Sequence, residues 1–303
     1  MKVTNKEYKN RIRWTLPQKI DHALGVIDSF FIKYPKSTIS FSGGIDSTVM
    51  LHLARVVDKK KIAVFVNTTN EFSEILKFVR NTENIKIVRP NITFIEVIDK
   101  HGFPLISKMT ARMLLDLRNP TVRNQATRNL WLTGIKKDGT KVPNMKLPNK
   151  YRYLIHAPFD ITNKCCKFLK TDPIKPFQKE GMLVGTMAID SLIRKHSYLK
   201  TGCINFSTNK ATPLAIWTKE DVWKYIKQNN IEYCSIYDKG ETSTGCTYCA
   251  FGIMFDKTRF ERLRKREPKR YKQMMELTNN GVTYEEALQT VLRGTLTKSL
   301  FTI

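Results

Sequence analysis

The sequence predicts an α/β fold with a doubly wound, mainly parallel sheet and a basic helical C-terminal region. Two observations carry this prediction. An apolar run ends in a glycine pair and is followed at once by helical periodicity, and the alternation of strand and helix then repeats along the chain. A strand, a glycine loop and a helix in this order form the first unit of a doubly wound sheet, whose parallel strands are joined by right-handed crossovers.

The individual elements are predicted from the spacing of apolar residues. A first helix covers WTLPQKIDHALGVIDSFFIKY, a short strand covers STISFSGG, and a second helix covers IDSTVMLHLARVV. The second strand lies in KIAVFVNTT, is followed by a helix from about Glu71 to Arg80, and precedes a third strand in NITFIEVI. Further along, we expect a strand in GMLVGTMAID and a helix with a threonine cap in TKEDVWKYIKQN.

The charge of the chain indicates a polyanionic partner. Its 303 residues include 52 Lys and Arg against 27 Asp and Glu, a formal net charge of +25. This excess exceeds what solubility requires and favours a nucleic acid, either tRNA or DNA, although a basic surface could also serve only to attract small nucleotides. The sequence has no stretch typical of a membrane span and no apolar segment behind its charged N-terminus. We therefore expect a soluble, cytoplasmic protein with no membrane partner.

The segment SFSGGIDSTVM predicts a phosphate site. Gly43 and Gly44 allow the backbone to turn sharply and present its N–H groups, while Ser42 and Ser47 add hydroxyls at the start of the next helix. The segment lacks the GK[ST] of the Walker motif and is not GxGxxG. An ordinary strand-to-helix turn that uses glycine only for its shape is the alternative.

SGGIDS resembles the SGGxDS loop, or PP-loop, of the ATP pyrophosphatases. That superfamily includes phosphoadenylyl-sulfate (PAPS) reductases, tRNA thiolation enzymes and DNA phosphorothioation sulfur-transfer proteins. The resemblance implies an adenine nucleotide alpha hydrolase-like fold. It also implies that Ser42, Gly43, Gly44, Asp46 and Ser47 hold the phosphate or sulfate end of ATP, adenylyl sulfate or phosphoadenylyl sulfate. Asp46 would also place Mg²⁺, and Asp46 and Ser47 are the expected catalytic residues.

A second segment, VNTTNEFSEILKFV, is similar to the DTGxxFPET segment of the reductase branch. It keeps Thr68 and Glu74 and has Asn67 and Thr69 where Asp and Gly are usual. The resemblance implies that Thr68 and Glu74 contact the nucleotide, at the end of a parallel strand where ligands of such sheets bind. A turn rich in Thr and Asn that caps the following helix is the alternative.

A third segment, GTMAIDSLIR, corresponds to the G-x-R-x-x-E-S-x-x-R of the reductases. It retains Arg194, which we expect in the nucleotide site, but has Met187 in place of the first Arg and Asp190 in place of the Glu. The absence of the first Arg argues against binding of a doubly charged sulfonucleotide in the way that true reductases bind it.

Four of the six cysteines predict a metal centre. Cys165 and Cys166 are adjacent, and Cys246 and Cys249 form a CxxC. Four thiolates complete either a zinc site or an iron–sulfur cluster. The CC…CxxC pattern resembles the [4Fe-4S] ligand set of assimilatory adenylyl-sulfate reductases, and this implies a [4Fe-4S] cluster on these four residues. Zinc and plain buried thiols remain as alternatives.

The remaining cysteines and the C-terminus bear on the reaction. Cys203 and Cys234 have no partner at ligand spacing and are expected to be packed thiols. True sulfonucleotide reductases use a cysteine in a C-terminal ECGLH-like motif, whereas no cysteine follows Cys249 here. Two basic segments, RFERLRKREPKRYKQMM and RNPTVRNQATRN, suit phosphate backbones or are simply solvated faces.

These features favour an enzyme for sulfur transfer onto a nucleic acid. ATP would activate a base carbonyl or a phosphate oxygen as an adenylate, and cluster-bound sulfide would displace AMP; the sequence does not name the sulfur or electron donor. The alternatives are a reductase of adenylyl sulfate or phosphoadenylyl sulfate and a non-catalytic nucleic-acid-binding module. We divide the chain into an N-terminal helical segment (1–35), a PP-loop nucleotide-binding α/β domain (36–235) with a basic insertion or mobile segment near 112–153, and a CxxC segment with the basic helical tail (236–303).

Overall fold

A computed structural model describes residues 2–294 of the chain, so Met1 and the last part of the predicted basic tail, residues 295–303, lie outside the described residues. The chain forms two compact units. The first comprises the residues up to Pro90 together with Thr171–Gly245, and the second comprises Asn91–Lys170 together with the residues from Cys246 onward. Each unit combines two separate stretches, whereas the division into 1–35, 36–235 and 236–303 uses successive regions and stays a prediction.

Helices and strands alternate along much of the chain. The helices are α1 (Asn5–Ile12), α2 (Leu16–Lys33), α3 (Ile45–Val57), α4 (Ser73–Asn81), α5 (Phe94–His101), α6 (Lys108–Arg118), α7 (Gln125–Thr133), α8 (Lys164–Cys166), α9 (Asp172–Lys179), α10 (Leu192–Thr201), α11 (Lys219–Gln228), α12 (Arg259–Arg266), α13 (Pro268–Met275) and α14 (Tyr284–Arg293). The strands are β1 (Thr38–Ser40), β2 (Ala63–Val66), β3 (Ile85–Val88), β4 (Leu105–Ile106), β5 (Met182–Val184), β6 (Ile204–Asn205), β7 (Lys210–Ala211), β8 (Ala250–Phe251), β9 (Thr278–Asn279) and β10 (Val282–Thr283).

The first unit is built on a six-stranded sheet in the order β3-β2-β1-β5-β7-β6. All neighbouring strands are parallel except β6 and β7, which are antiparallel. Ile39 at the centre of β1 pairs with Ala63 of β2 on one side and Leu183 of β5 on the other, and all three are fully buried. The predicted α/β fold with a mainly parallel sheet is therefore confirmed. The strand order reverses between β1 and β5, which is where ligands bind in doubly wound sheets.

Helix positions in both units are fixed by capping boxes. In each box a threonine side chain accepts a backbone N–H three residues ahead, and the acid at that position accepts the N–H of the threonine, so two otherwise unpaired donors are satisfied. The pairs are Thr4 with Glu7, Thr93 with Glu96, Thr218 with Asp221 and Thr283 with Glu286. The threonine cap predicted for α11 is among them, and α11 packs against α3.

The third predicted strand, NITFIEVI, is wrong, because this segment forms α5. Phe94, Val97 and Ile98 are buried at helical spacing while Ile95 is exposed, and the Thr93 capping box starts the helix. The third strand of the sheet is instead β3, immediately before it. An apolar run of this length suits a strand or a helix equally by periodicity, and here the cap decides between them.

The second unit holds the remaining elements. β4 and β8 form a short parallel pair, β9 and β10 form a hairpin, and α5 packs against α8. Residues 112–153, where we predicted an insertion or a mobile segment, include most of α6 and all of α7. Trp131 of α7 is 4% exposed and donates to the Asp116 carboxylate at 3.0 Å, so this stretch has its own packed contacts. Within residues 2–294, no helix is long and apolar enough to cross a membrane.

Candidate functional site

A polar cavity of about 280 Å³ opens in the first unit where the strand order reverses. The ends of β1 and β5, the starts of α3 and α11, and the loop before residue 245 contribute to its wall. The lining residues are Ser40, Ser42, Gly44, Asp46, Ser47, Val184, Gly185, Thr186, Arg194, Lys219, Tyr237, Thr242, Ser243 and Thr244. Five of the predicted nucleotide-binding residues, namely Ser42, Gly44, Asp46, Ser47 and Arg194, thus meet at one cavity.

The two glycines of the loop are required by its shape. Gly43 has a φ of +72°, a conformation that residues with a side chain rarely adopt, and a Cβ there would lie 2.9 Å from a methyl group of Ile75. A Cβ on Gly44 would lie 2.7 Å from the Thr244 hydroxyl. The loop can therefore pass close to α4 on one side and to the Thr244 segment on the other only because both positions are glycine.

Hydroxyl groups hold the loop in place before any ligand binds. The backbone N–H of Ser42 donates to Ser47 Oγ at 3.2 Å, and that oxygen donates to the carbonyl of Gly44 at 2.8 Å. Ser42 Oγ lies 3.1 Å from Ser47 Oγ. The loop leads directly into α3, whose N-terminus carries the positive end of the helix dipole and suits an anion such as phosphate.

Charged side chains complete the cavity wall. Lys219 Nζ lies 2.7 Å and 2.6 Å from the two carboxylate oxygens of Asp46. Arg194 forms an ion pair with Asp190 one turn earlier. Both cations are held by carboxylates, so a phosphate group that binds here can compete with Asp46 and Asp190 for them.

The loop that ends the first unit adds hydroxyls to the same wall. The phenol oxygen of Tyr237 accepts the N–H of Ile45 at 3.1 Å, which caps a donor in the first turn of α3. Burial raises the pKa of Tyr237, so the hydroxyl stays protonated, and it is also hydrogen-bonded to Thr244. The hydroxyls of Thr242 and Ser243 are exposed in the cavity wall and can donate to a phosphate oxygen.

Three predicted nucleotide-binding residues are not among those that line this cavity: Gly43, which lies within the loop, and Thr68 and Glu74, which lie elsewhere in the first unit. Thr68 is fully buried, and its N–H and hydroxyl donate to the Glu71 carboxylate at 3.1 Å and 2.7 Å. Glu74 pairs with Lys239 at 2.6 Å. Burial raises the pKa of Glu74, but hydrogen bonds from Lys239, the backbone and Ser73, together with the charge of Lys239, outweigh it and the net pKa is lowered. Their roles as ligand contacts stay predictions.

The backbone conformation of Thr69 explains why glycine is usual at this position in the reductase segment. Its φ is +63°, in the left-handed region that glycine enters without a steric penalty. Thr69 is stabilised there by its own polar groups, because its N–H donates to Asn67 Oδ1 at 2.9 Å and its hydroxyl donates to the Thr68 carbonyl at 2.6 Å. The segment therefore has a left-handed residue here although that residue is not glycine.

Sequence reasoning missed several residues of the cavity. Lys219 was interpreted only as the start of a capped helix, although it follows the cap and faces the loop from α11. The hydroxyl-rich run ETSTGC, which contains Thr242, Ser243 and Thr244, could have indicated a polar lining. Tyr237 carried no sequence signal, because its contact with Ile45 joins residues far apart in the chain.

The four predicted metal ligands all belong to the second unit. Cys165 and Cys166 lie on α8, which continues into a π-helical turn over Lys167–Thr171, and such turns are often found at functional sites. Cys246 and Cys249 form a tight turn, in which the Cys249 N–H donates to the Cys246 carbonyl at 3.2 Å. This turn leads into β8.

The two cysteine pairs lie within electrostatic range of each other. The pKa of Cys165 is raised, first by its hydrogen bond with Cys166, then by burial and by the negative charges of Cys166, Cys249 and Cys246. Since these charges act on one thiol, the structure brings together cysteines that are about 80 positions apart in the chain. We call these four residues the cysteine group.

Lysines favour a thiolate in the cysteine group. The pKa of Cys166 is lowered to about 6, first by its hydrogen bond with Cys165 and then by the charges of Lys108 and Lys170, against the effect of burial. Burial raises the pKa of Cys249 to about 12. Thiolates are the form that binds iron or zinc, and a metal centre would supply the positive charge that the buried thiols lack.

Neighbouring side chains hold the CxxC turn rigidly. Arg259 Nη2 donates to the Cys246 carbonyl at 2.6 Å. The hydroxyl of Tyr284, which is fully buried at the start of α14, donates to the carbonyl of Tyr248 at 2.8 Å. Tyr284 in turn stacks on Phe103, with ring centroids 4.9 Å apart. The backbone between the two cysteines is therefore fixed from two sides.

The cysteine group fits an iron–sulfur cluster by its donor type. Thiolates are the usual ligands of such clusters, and the group offers four cysteines from two segments, with lysines near Cys166. Among the described residues, no three His, Cys, Asp or Glu side chains converge on a point that would hold a single metal ion. The assignment of the four cysteines as ligands stays a prediction.

The other two cysteines belong to the first unit. Burial raises the pKa of Cys203 to about 12, and its sulfur lies 3.6 Å from Nε2 of His22. Cys234 is 1% exposed, and burial raises its pKa as well. Protonated, enclosed thiols are poor nucleophiles, which agrees with the expectation that both are packed thiols.

The first basic segment, RFERLRKREPKRYKQMM, contains cations that form ion pairs and cations that are exposed to solvent. Arg262 is held by Asp256 at 2.7 Å, and Arg270 is held by Glu267 at 3.3 Å. The exposed cations on α12 and α13 include Arg264, Lys265 and Lys269. We call these three residues the exposed basic set.

The second basic segment is partly structural. Arg118 donates to the carbonyl of Phe159 at 2.7 Å and to Asp160 at 3.1 Å. Burial lowers the pKa of Arg118, as expected for a guanidinium enclosed by the fold. This arginine therefore stabilises the second unit, while Arg123 in the same segment is exposed.

Comparison with protein-family models identifies the chain. Two overlapping stretches, residues 36–148 and 139–251, match the phosphoadenosine phosphosulfate reductase domain. The chain belongs to this family. The matched region contains the SGGIDS loop and all four residues of the cysteine group. Family membership confirms the predicted relationship to the PAPS reductases of the PP-loop superfamily.

Curated relatives of this PAPS reductase domain protein have the names of enzymes. An adenosine 5'-phosphosulfate reductase of Bacillus cytotoxicus is 24% identical over 240 residues, which is 76% of this chain and 80% of the relative. A protein of the same name from Bacillus cereus is 22% identical over 81% of this chain and 86% of the relative. At these identities the reaction of the relatives is not carried over to this chain.

Two solved structures are similar to the family member described here. A phosphoadenylyl-sulfate reductase from Candida auris, in a phosphate complex, has a TM-score of 0.41 and 14% identity over 81% of this chain and 97% of that chain. The U34-tRNA thiolase NcsA from Methanococcus maripaludis with its [4Fe-4S] cluster has a TM-score of 0.38 and 14% identity over 96% of this chain and 81% of that chain.

Proposed function

We propose that this PAPS reductase family member uses ATP to adenylate an oxygen of a nucleic acid and then replaces that oxygen with sulfur. The observation that carries the proposal is the SGGIDS loop at the start of α3, which lines a polar cavity together with two cations, Arg194 and Lys219. A preformed loop of this kind binds phosphate through its backbone N–H groups and the helix dipole. We propose a cytoplasmic location, where the thiols stay reduced.

The proposed reaction has two steps. An acceptor oxygen attacks the α-phosphorus of ATP, and pyrophosphate leaves, so that the acceptor carries AMP. Sulfide then attacks the acceptor atom, and AMP departs with the former acceptor oxygen. In the first step Ser42, Gly43, Gly44 and Ser47 hold the phosphates that will leave, and Asp46 would hold Mg²⁺ together with the substrate phosphates, as carboxylates commonly do.

The cysteine group provides the second element of the proposal. A [4Fe-4S] cluster on Cys165, Cys166, Cys246 and Cys249, when bound, would supply a place where sulfur is held for transfer. The residues around it have a supporting role: Lys108 and Lys170 stabilise the thiolate of Cys166, and Arg259 fixes the carbonyl of Cys246. Zinc in the same group is the alternative that metal analysis would identify.

Charge supports a nucleic acid as the acceptor. The net charge of +25 is much larger than a nucleotide of a few phosphates requires, and the exposed basic set lies on two successive helices. Lysine and arginine side chains in such positions contact phosphate backbones without reading the bases. The charge does not distinguish tRNA from DNA.

A second candidate is reduction of adenylyl sulfate or phosphoadenylyl sulfate, which the names of the curated relatives favour. This reaction needs a free thiolate that attacks the sulfate sulfur. Cys203 and Cys234, which lie outside the cysteine group, both have pKa values raised by burial. We therefore rank sulfur transfer first.

The products separate these candidates. The full chain, purified without oxygen, is incubated with radiolabelled ATP, Mg²⁺ and inorganic sulfide, with and without mixed tRNA or duplex DNA, and in parallel with adenylyl sulfate and a thiol reductant. Adenylation predicts AMP and pyrophosphate from ATP, formed faster when the acceptor is present. Sulfite and AMP from adenylyl sulfate, with ATP left intact, would make the chain a reductase. Binding without any product would make it a binding module.

Neutralising the exposed basic set tests the nucleic-acid partner. Changing Arg264, Lys265 and Lys269 to glutamine is expected to weaken binding to tRNA and DNA alike and to reduce the slope of log affinity against log salt by about two to three, since each lost phosphate contact removes roughly 0.7 to 0.9. Filter binding over a salt series measures this slope.

A matched variant tests whether the effect depends on position or only on charge. Lys36, Lys59 and Lys60 are exposed lysines of the first unit, and changing them to glutamine removes the same three charges. Binding of nucleic acid with an unchanged salt slope is expected for this control. Equal losses in the two triple variants would show that only the net charge matters and would contradict a role for α12 and α13.

A further inference from the structure

We infer that Lys219 is a resident cation on Asp46 that a divalent metal ion must displace when the nucleotide binds. The inference rests on the proposed function, because it assigns a regulatory role to one residue of the same cavity. It concerns the order in which the cavity exchanges its cations, which neither the family nor the loop motif specifies.

The contact between the two side chains is close and uses both oxygens of the carboxylate. Lys219 Nζ is 2.7 Å from Oδ1 and 2.6 Å from Oδ2 of Asp46. Asp46 is in the first turn of α3, Lys219 is the first residue of α11, and both line the cavity. A cation that approached either oxygen of Asp46 would thus meet the ammonium group of Lys219 first.

The backbone of Lys219 is held by the start of α11, whereas the side chain of Lys219 is exposed and flexible. The capping box between Thr218 and Asp221 fixes the start of α11, and the preceding Trp217 is fully buried. The Lys219 side chain is 45% exposed and carries a compact charge on a flexible stem. The ammonium group can therefore leave Asp46 without disturbing the helix.

The charges of the cavity explain why an exchange is expected. While Lys219 neutralises Asp46, the carboxylate does not repel an incoming phosphate chain. When a divalent ion takes the carboxylate, like charges repel the ammonium group, and the nearest new anion is the phosphate chain itself. Lys219 thus supports metal-free binding by masking Asp46, and the metal ion takes over this role when it binds the carboxylate.

The test measures binding and not turnover. Calorimetry gives the dissociation constant of ATP in EDTA and in Mg²⁺. The metal dependence is the dissociation constant in EDTA divided by the dissociation constant in Mg²⁺. Lys219→Met is expected to raise this ratio by about tenfold, the size of one charge-assisted contact, because the unmasked Asp46 weakens metal-free binding and takes the metal more readily. Electron paramagnetic resonance of Mn²⁺ in the presence of ATP should show tighter metal binding to the same variant.

Two further variants serve as controls. Lys175 forms a comparable ion pair with Asp172 at 2.7 Å in the same unit, is 57% exposed and does not line the cavity, so Lys175→Met should leave the ratio at the wild-type value. Lys219→Arg keeps the positive charge and should restore most of the wild-type ratio. Asp46→Asn should make the ratio insensitive to a further Lys219→Met change.

Each outcome decides between distinct explanations. If ATP binds the wild-type protein and Lys219→Met changes both dissociation constants by the same factor, the ion pair only supports the structure and the inference is wrong. If the wild-type ratio is one, Lys219 replaces the metal ion and is not displaced by it, which also overturns the inference while nucleotide binding stands. If ATP does not bind at all, both the proposed function and the inference are wrong.

Discussion

Replacing Cys249 by serine is expected to remove the iron–sulfur chromophore from the protein. The thiolate of Cys249 would be one of four ligands, and a serine hydroxyl is a poor ligand for iron in such a cluster. Protein purified without oxygen should contain about four irons and four sulfides per chain and absorb broadly in the visible range. The variant should lose most of both and unfold more readily, because the group joins distant segments of the second unit.

Cys203→Ser is the matched control for this experiment. Cys203 is a half-buried thiol in the first unit with a raised pKa, and its replacement should leave the iron content and the absorption unchanged. Stoichiometric zinc without iron in the wild-type protein would contradict the cluster and identify the cysteine group as a zinc site. Full iron content in Cys249→Ser would show that this cysteine is not a ligand.

Replacing Asp46 by alanine is expected to reduce ATP turnover by at least about 10²-fold, the usual loss when one prearranged electrostatic contact in an active site is removed. The fold should remain, since the Asp46 side chain is 25% exposed and its ion pair with Lys219 lies at the surface. We expect the free energy of unfolding to change by no more than about 1 kcal/mol. AMP release and thermal unfolding measure the two quantities.

Asp172→Ala is a suitable comparison for this variant. Asp172 belongs to the same unit and pairs with Lys175 at 2.7 Å, but it does not line the cavity. Its replacement should leave turnover near the wild-type rate. An Asp46→Ala protein with full turnover would remove the PP-loop from the mechanism. If the Asp46→Ala protein does not fold, Asp46→Asn is measured in its place.

The central sheet was predictable because its strands have local signals. The glycine pair after β1 and the apolar runs of β2 and β5 locate three neighbouring strands, and right-handed crossovers then fix their parallel arrangement. The segment around Ile95 was not predictable by the same rule, since an apolar run before a polar turn fits a strand as well as a helix. The Thr93 and Glu96 pair was the stronger signal there.

The cavity was only half predictable from the sequence, for a physical reason. The loop residues are contiguous, so a motif reveals Ser42 to Ser47 together. Lys219 and Tyr237 reach the same wall from later parts of the first unit, and their contacts with Asp46 and Ile45 depend on how α11 packs against α3. Such contacts leave no spacing in the sequence that could be recognised.

The hydrogen bond from Tyr284 to the Tyr248 carbonyl has a consequence for how this protein can be divided or recombined. Similarity to the family ends at residue 251, yet the turn that carries Cys246 and Cys249 is held by a tyrosine at the start of α14. A fragment trimmed to the residues that match the family would expose Phe103, on which Tyr284 stacks. The C-terminal helices are therefore not a detachable appendage, and gene fusions or chimaeras of this chain should be joined beyond α14.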